Sequence, residues 1–213
     1  MGTNYKTIMR TRETIARSAD DLRAALGIPD ICSFNIVEFA RRMIGQKIGS
    51  LGKLSLKLYP NLTEFAYVDF NPLTLHVDND IWDEAELGEP KARFIIAHEL
   101  GHITLHRFHR QEFSEEEKSR LKSFPMEEQT EPQANWFAAD FLAPDRLIDW
   151  SASDLEICQK FGFPREYIFL KREVAPRQRV RFPSGFCDRC GHFLIGGNSS
   201  ILKCANCGFK RTA

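Results

Sequence analysis

No apolar run in this 213-residue chain approaches the roughly 18 residues needed to cross a bilayer. The first 20 residues are polar and charged, so they do not read as a secretory signal. Met1-Gly2 invites comparison with an acylated terminus, but Lys6 stands where Ser or Thr is wanted. Net charge is missing as well, with 29 acidic residues against 29 basic ones. Internal repeats are absent apart from one pair of short cysteine knuckles. These absences lead us to expect a cytoplasmic protein with no membrane association. A hydrophobic content of 43% allows one medium-sized domain plus a small module.

The most informative residues are His98-Glu99-Leu100-Gly101-His102, an H-E-x-x-H pattern inside an apolar stretch. On a helix, positions i and i+4 project from one face, so both imidazoles can reach one metal ion. Glu99 lies beside them, placed to hold a water and take its proton. The competing interpretation is a core helix with two internally satisfied histidines. A zinc hydrolase needs a third protein ligand and an open position. Glu131 is a candidate, 29 residues after His102 at the start of Thr130-Glu131-Pro132-Gln133-Ala134-Asn135-Trp136-Phe137-Ala138-Ala139-Asp140-Phe141-Leu142. Thr130 and Gln133 read as a capping box, with Pro132 in the first turn. Ala134, Phe137, Ala138, Phe141 and Leu142 then fall on one apolar face. Alternatively, Glu131 merely complements the helix dipole.

Leu105 and Phe108 occupy the positions where a metzincin carries Gly and a third His, which excludes that class. His106 competes with Glu131 as third ligand, or sits behind the site or at its edge. His109 and His76 read as solvated or hydrogen-bonded, with His76 near a pocket edge. Asn135 either bonds a ligand imidazole or serves capping and packing.

Arg93-Phe94-Ile95-Ile96-Ala97-His98-Glu99-Leu100-Gly101-His102, with Leu105-His106, resembles the ImmA/IrrE family of M78 metallopeptidases. The likeness continues in Glu131-Pro132-Gln133-Ala134-Asn135-Trp136-Phe137-Ala138-Ala139 and Leu142-Ala143-Pro144, and covers roughly residues 30–170. The resemblance implies an α+β, zincin-like fold. It implies His98, His102 and Glu131 as zinc ligands and Glu99 as general base. It further implies a partner: a helix-turn-helix repressor, encoded nearby as a separate polypeptide, whose cleavage releases mobile-element or stress genes. Alternatives are a non-proteolytic anti-repressor or toxin-like regulator, and a DNA-bound regulator.

Cys187-Asp188-Arg189-Cys190-Gly191 and Cys204-Ala205-Asn206-Cys207-Gly208 form two C-x-x-C-G knuckles with 13 residues between them. Four thiolates so paired are the pattern of a structural zinc ribbon, with disulfides as the other use. Two Zn2+ ions are therefore expected, one catalytic and one structural. Cys32 and Cys158 lack partners at ligand spacing and read as small buried hydrophobes. From Ala175 onward seven basic residues (Arg177, Arg179, Arg181, Arg189, Lys203, Lys210, Arg211) face Asp188 alone, a net +6 that leaves −6 for the rest. A basic ribbon can contact nucleic acid, dock a protein or cap a domain.

The expected organisation is a metallopeptidase domain over residues 1–174 and a basic linker with a four-cysteine zinc ribbon over 175–213. Helices are expected at 9–27, 34–46, 90–108 and 145–161, with a short element at 165–173. Strands at 53–59, 64–70 and 73–78, broken by Pro60-Asn61-Leu62 and Asn71-Pro72, suggest a small antiparallel sheet. The last strand is the expected edge for an extended substrate peptide. Residues 112–130 read as a solvated segment or a lid. An oxyanion donor is required, with His106, Tyr67 and His76 as candidates.

Overall fold

In the computed structural model, which describes residues 6–106 and 124–172, most helices begin on a side-chain cap. Beyond residue 172 only the backbone of Leu194–Gly196, Ile201–Cys204 and Lys210–Thr212 is described. Thr11 caps α1 (Arg12–Ala25), and the Asn35 side chain accepts from Val37 and Glu38 at the start of α2 (Ile36–Met43). Asp78 caps α3 (Asn79–Glu86), a helix not anticipated from the sequence. Glu89 caps α4 (Pro90–Leu105), where Pro90 loses no hydrogen bond because a first-turn N–H has no helical partner. α5 (Thr130–Leu142) is an exception. Its cap residue is Gln129, no side chain caps it, and the expected Thr130–Gln133 box does not form because Gln133 is bonded elsewhere.

The expected helix over 145–161 is two pieces, a 3-10 turn at Asp145–Leu147 and α6 (Asp154–Phe161). The Asp149 side chain accepts from the Ser151 N–H (2.9 Å) and holds a turn between them. Ser153 and Glu156 then close a reciprocal capping box that restarts the helix. A second 3-10 turn at Arg165–Tyr167 leads to α7 (Phe169–Arg172).

β1 (Ser55–Tyr59), β2 (Ala66–Phe70) and β3 (Leu73–Asp78) form one sheet in the order β1-β3-β2. β2 and β3 are an antiparallel hairpin across Asn71-Pro72, whereas β1 is parallel to β3. The sheet is thus mixed, not antiparallel as the turn signals suggested. β3 inserts between two strands that are neighbours in sequence, and local turn chemistry carries no information about that insertion. It also follows that β3 is the central strand, buried along its whole length, and not the edge expected for a substrate. The open edges among the described residues belong to β1 and β2.

The core is built on α4 and α5, which pack against each other, with α1 on α5 and α2, α3 and β2 on α4. α4 is buried nearly all round, as its apolar circumference predicts. Phe137, Phe141, Ile96 and Leu100 are completely enclosed, each large side chain contributing about 1.5–3 kcal/mol by burial. Two buried arginines finish helix ends. Arg23 donates to the Phe141 carbonyl (2.6 Å) at the end of α5. Arg93 donates to Phe161 (2.9 Å), Gly162 (2.6 Å) and Phe34 (3.2 Å). Cations at helix C-termini complement the carbonyl dipoles gathered there.

The structure divides into two units, Met1–Lys171 and Arg172–Ala213. The second contains β4 (Leu194–Gly196), β5 (Ile201–Cys204) and β6 (Lys210–Thr212), antiparallel and in sequence order. Cys204 is the last residue of β5; Cys187, Cys190, Cys207 and the three linker arginines lie outside the described residues. Among the described residues no helix is long and apolar enough to cross a membrane.

Gly162 ends α6 at φ 57°, and a Cβ there would overlap Arg93 Nη1. Backbone and neighbour both forbid a side chain. Gly162→Ala should therefore cost about 1–3 kcal/mol or more, by the scale of overpacking. Urea unfolding would measure it, and a loss under about 0.5 kcal/mol would contradict the packing described.

Candidate metal centre

α4 carries His98 and His102 one turn apart, and their Nε2 atoms stand 3.0 Å from each other. The acid comes from a different helix. Glu131, the second residue of α5, places Oε2 3.3 Å from His98 Nε2 and Oε1 3.2 Å from His102 Nε2. It reaches them because α5 crosses α4 at Gly101. A Cβ at Gly101 would lie 3.1 Å from Phe137 Cδ1 and 3.3 Å from Ala134 Cα, so the helices meet at a point where even a methyl group would push a neighbour by a few tenths of an ångström. Glu99, buried on the same turn of α4, lies with both histidines in a cluster whose donor atoms are within 4.8 Å.

Whether these residues suit a metal can be judged from their spacing. Two imidazole nitrogens 3.0 Å apart, each 3.2–3.3 Å from one oxygen of the same carboxylate, repel unless a cation or shared protons lie among them. Tetrahedral zinc with bonds of about 2.0–2.1 Å requires ligand atoms roughly 3.3 Å apart. The donor set and the spacing both fit. The side chains of the two histidines and Glu131 keep 13–17% of their surface exposed, which leaves the centre approachable from one side.

Behind this triangle each imidazole is held by its other nitrogen. The Asn135 side-chain carbonyl lies 2.9 Å from His98 Nδ1, as one of the two sequence readings had it. His106 Nδ1 lies 3.0 Å from His102 Nδ1, and His106 Nε2 lies 3.2 Å from Gln133 Oε1. Outer contacts of this kind fix ring orientation in metal sites. With both ring nitrogens engaged and the residue buried, His106 is neither a third ligand nor an oxyanion donor.

The comparisons with known proteins agree with this geometry. Residues 69–168 match the family model of the IrrE N-terminal-like domain, the M78 peptidases. The chain carries an IrrE N-terminal-like domain. M78 is a metallopeptidase family, and the matched stretch contains His98, Glu99, His102 and Glu131. A solved structure described as a Mycobacterium tuberculosis transcriptional regulator is similar in fold. Its TM-score is 0.54 at 18% identity, over 79% of this chain and 49% of that one. Two curated proteins are similar to part of the chain. Ribonuclease P protein component 4 of Archaeoglobus fulgidus is 32% identical over 83 residues, 33% of this chain and 72% of that protein. The component 4 protein of Methanococcus vannielii is 32% identical over 63 residues, 28% of this chain and 57% of its own length.

Within the IrrE N-terminal-like domain the two acids are pushed in opposite directions. Burial raises the Glu99 carboxyl above the usual carboxylate range, only partly offset by the His102 and His98 rings. Burial also works against ionised Glu131, but hydrogen bonds and charge from His102 and His98 outweigh it and hold that carboxyl far below its usual range. Burial and the neighbouring His102 push His106 well below an ordinary histidine.

The remaining candidates lie apart from the triangle. His76, on the central strand, accepts the Tyr59 hydroxyl or donates to it (Nδ1 to Oη 2.9 Å), and its ring stacks on Tyr67 at 4.4 Å. Cys158 is buried and Cys32 partly so, and neither forms a disulfide. His109, Phe108 and the acidic run Glu115-Glu116-Glu117 are outside the described residues. Arg10 and Gln133 were not anticipated in their observed roles. Arg10 lies 95 positions from the Leu105 carbonyl to which it donates (2.6 Å), and no local pattern foretells such a contact.

The Gly101 crossing gives a direct test. Gly101→Val should part α4 from α5, costing about 1–3 kcal/mol and lowering zinc retention on dialysis. A stable Gly101→Val protein that keeps its zinc would mean that the close crossing does not set the Glu131 position.

Proposed function

We propose that the chain is a zinc-dependent endopeptidase that cleaves a helix-turn-helix transcriptional repressor encoded nearby. The observation that most supports this reading is the convergence of His98, His102 and Glu131, with Glu99 beside them, inside an M78 peptidase domain. In this reading those three residues hold the catalytic metal. Bound zinc would supply Lewis acidity, activating a water and polarising a carbonyl. The Glu99 carboxylate accepts the proton of the attacking water and later delivers it to the leaving amine. Its burial on the inner side of α4 keeps it basic enough for that transfer.

The extended substrate would join the sheet at β2, which packs against α4. The Asp78 N–H donates to the Phe65 carbonyl (3.0 Å), and that register continues through Tyr67 with His76 and Asp69 with Thr74. In an antiparallel ladder the alternate residues then direct their N–H and C=O groups outward. These are Ala66, Val68 and Phe70, and strand addition uses such groups. In the second unit, Cys187, Cys190, Cys204 and Cys207 would hold a structural zinc. The three-stranded antiparallel meander β4–β6, which starts after the first knuckle, supports that assignment.

The decisive experiment co-expresses the full chain with the helix-turn-helix regulator encoded beside it and follows that regulator by mass spectrometry. Wild type should yield a defined fragment and Glu99→Gln none, although the variant folds and retains zinc. A stable complex with intact regulator in both cases would replace the peptidase with a non-proteolytic anti-repressor.

A second reading is favoured by the likeness to ribonuclease P protein component 4. The C-terminal residues, with their net +6, would contact the backbone of a nucleic acid. Affinity for duplex DNA or a folded RNA should then fall steeply with salt. Neutralising Arg177, Arg179 and Arg181 together should flatten the log–log salt slope for duplex DNA by about 2–3. Undetectable binding to both polymers at low salt would eliminate this reading.

A further inference from the structure

Residues 6–10 run alongside the entrance to α5. The Thr7 N–H donates to Glu128 (2.7 Å) and the Arg10 N–H donates to Glu127 (3.0 Å). From this strap a chain of hydrogen bonds leads inward. Arg10 Nη1 donates to Gln133 Oε1 (3.2 Å), while Nη2 donates to the Leu105 carbonyl (2.6 Å) at the end of α4. Gln133 Nε2 donates to the carbonyls of Ile8 (2.9 Å) and Glu127. Gln133 is fully buried and His106 is 2% exposed, so both must find their partners within the protein.

These contacts determine which atoms donate. An amide nitrogen must face the Ile8 and Glu127 carbonyls, so the amide oxygen faces Arg10 and His106. That oxygen can only accept, and His106 Nε2 must therefore donate to it. A neutral His106 then presents a lone pair at Nδ1, which takes a proton only if His102 carries one at its own Nδ1. In neutral His102, the form that a metal ligand takes, the remaining nitrogen Nε2 is then left as a lone pair facing Glu131 and His98. His98 is held in the same sense by a shorter route, through the Asn135 side-chain oxygen alone.

We propose that residues 6–10 form a positioning strap for the metal centre, acting through Gln133 and His106 to set the ring and tautomer of His102. The strap touches no reacting atom; Arg10, Gln133 and His106 are positioning residues. This rests on the reading that His98, His102 and Glu131 hold a metal.

The test is a double-mutant cycle on the full chain with cobalt(II) as probe, followed through visible absorption of the nitrogen- and oxygen-ligated ion. Thiolate-bound cobalt is distinguished by its sulfur charge-transfer bands. Gln133→Met should weaken cobalt binding about 10- to 100-fold, the usual effect of losing an outer-shell partner. Arg10→Met, at the less buried end, should weaken it less. Urea unfolding establishes that each variant is folded, and Arg10→Met serves if Gln133→Met is not. In a His106→Leu background both substitutions should lose most of their effect, because the connection to His102 is already cut. Full additivity with His106→Leu would overturn the relay, since a general structural effect would persist. Equal cobalt affinity in wild type and both single variants would overturn it too. If His102→Ala binds cobalt at this site as tightly as wild type, the metal-site reading fails and takes the relay with it.

Discussion

Two imidazole nitrogens 3.0 Å apart, each facing its own oxygen of the Glu131 carboxylate at 3.2–3.3 Å, are the constraint on which the rest of the domain depends. Without a cation or shared protons among these atoms such an arrangement is unfavourable, and a rigid surrounding structure is needed to maintain it. Helix periodicity provides the two imidazoles with no further device, because residues four apart share a face. The carboxylate has no local route to them and must arrive on a second helix placed to within a fraction of an ångström. This explains the lack of a side chain at Gly101, where α5 meets α4. It also explains why α5 is held at both ends. Arg23 and the buried Lys171–Asp140 pair (2.5 Å) fix its C-terminal half, and Gln133 fixes its first turns.

The sequence made the parts of the site that obey local rules legible. His98, Glu99 and His102 follow from one helical turn, and Glu131 follows from the apolar face of Ala134, Phe137, Ala138, Phe141 and Leu142, all buried as expected. Asn135 was recognised because it stands one turn after Glu131. What remained hidden depends on long-range pairing. Turn signals located β1, β2 and β3 to within two residues, yet the insertion of β3 between the others is decided by hydrogen bonds across the sheet. His76, which reads as solvated or hydrogen-bonded near a pocket edge, is covered by Tyr59 and Tyr67 from both neighbouring strands.

Gln133 shows a subtler failure of local reading. Its position three residues after Thr130 fits a capping box, and in an isolated peptide that would be a reasonable use of its side chain. In the folded chain two donors, Arg10 and His106, and two carbonyls needing a donor, those of Ile8 and Glu127, lie within its reach. Leaving several buried polar groups unsatisfied costs about 1–3 kcal/mol each, more than one helix cap contributes. The tertiary network therefore takes the residue, and α5 starts without a side-chain cap.

The contrast between Glu99 and Glu131 carries the argument from geometry toward chemistry. Both are carboxylates beside the same two histidines, yet their surroundings push them apart. Glu131 has an imidazole nitrogen opposite each oxygen and is held in its charged form, the form that the proposed ligand role requires. Glu99 is dominated by burial, which favours the protonated form and makes its carboxylate a stronger base, as a proton carrier must be. Divergent environments of neighbouring acids are the usual means by which a site assigns separate roles to identical groups. The separation here arises from backbone position alone. Glu99 follows His98 on the buried side of α4, whereas Glu131 enters from the first turn of a crossing helix and faces the histidines directly. An exchange of roles would require moving a helix, so the division of labour proposed for the two acids is built into the packing of α4 against α5.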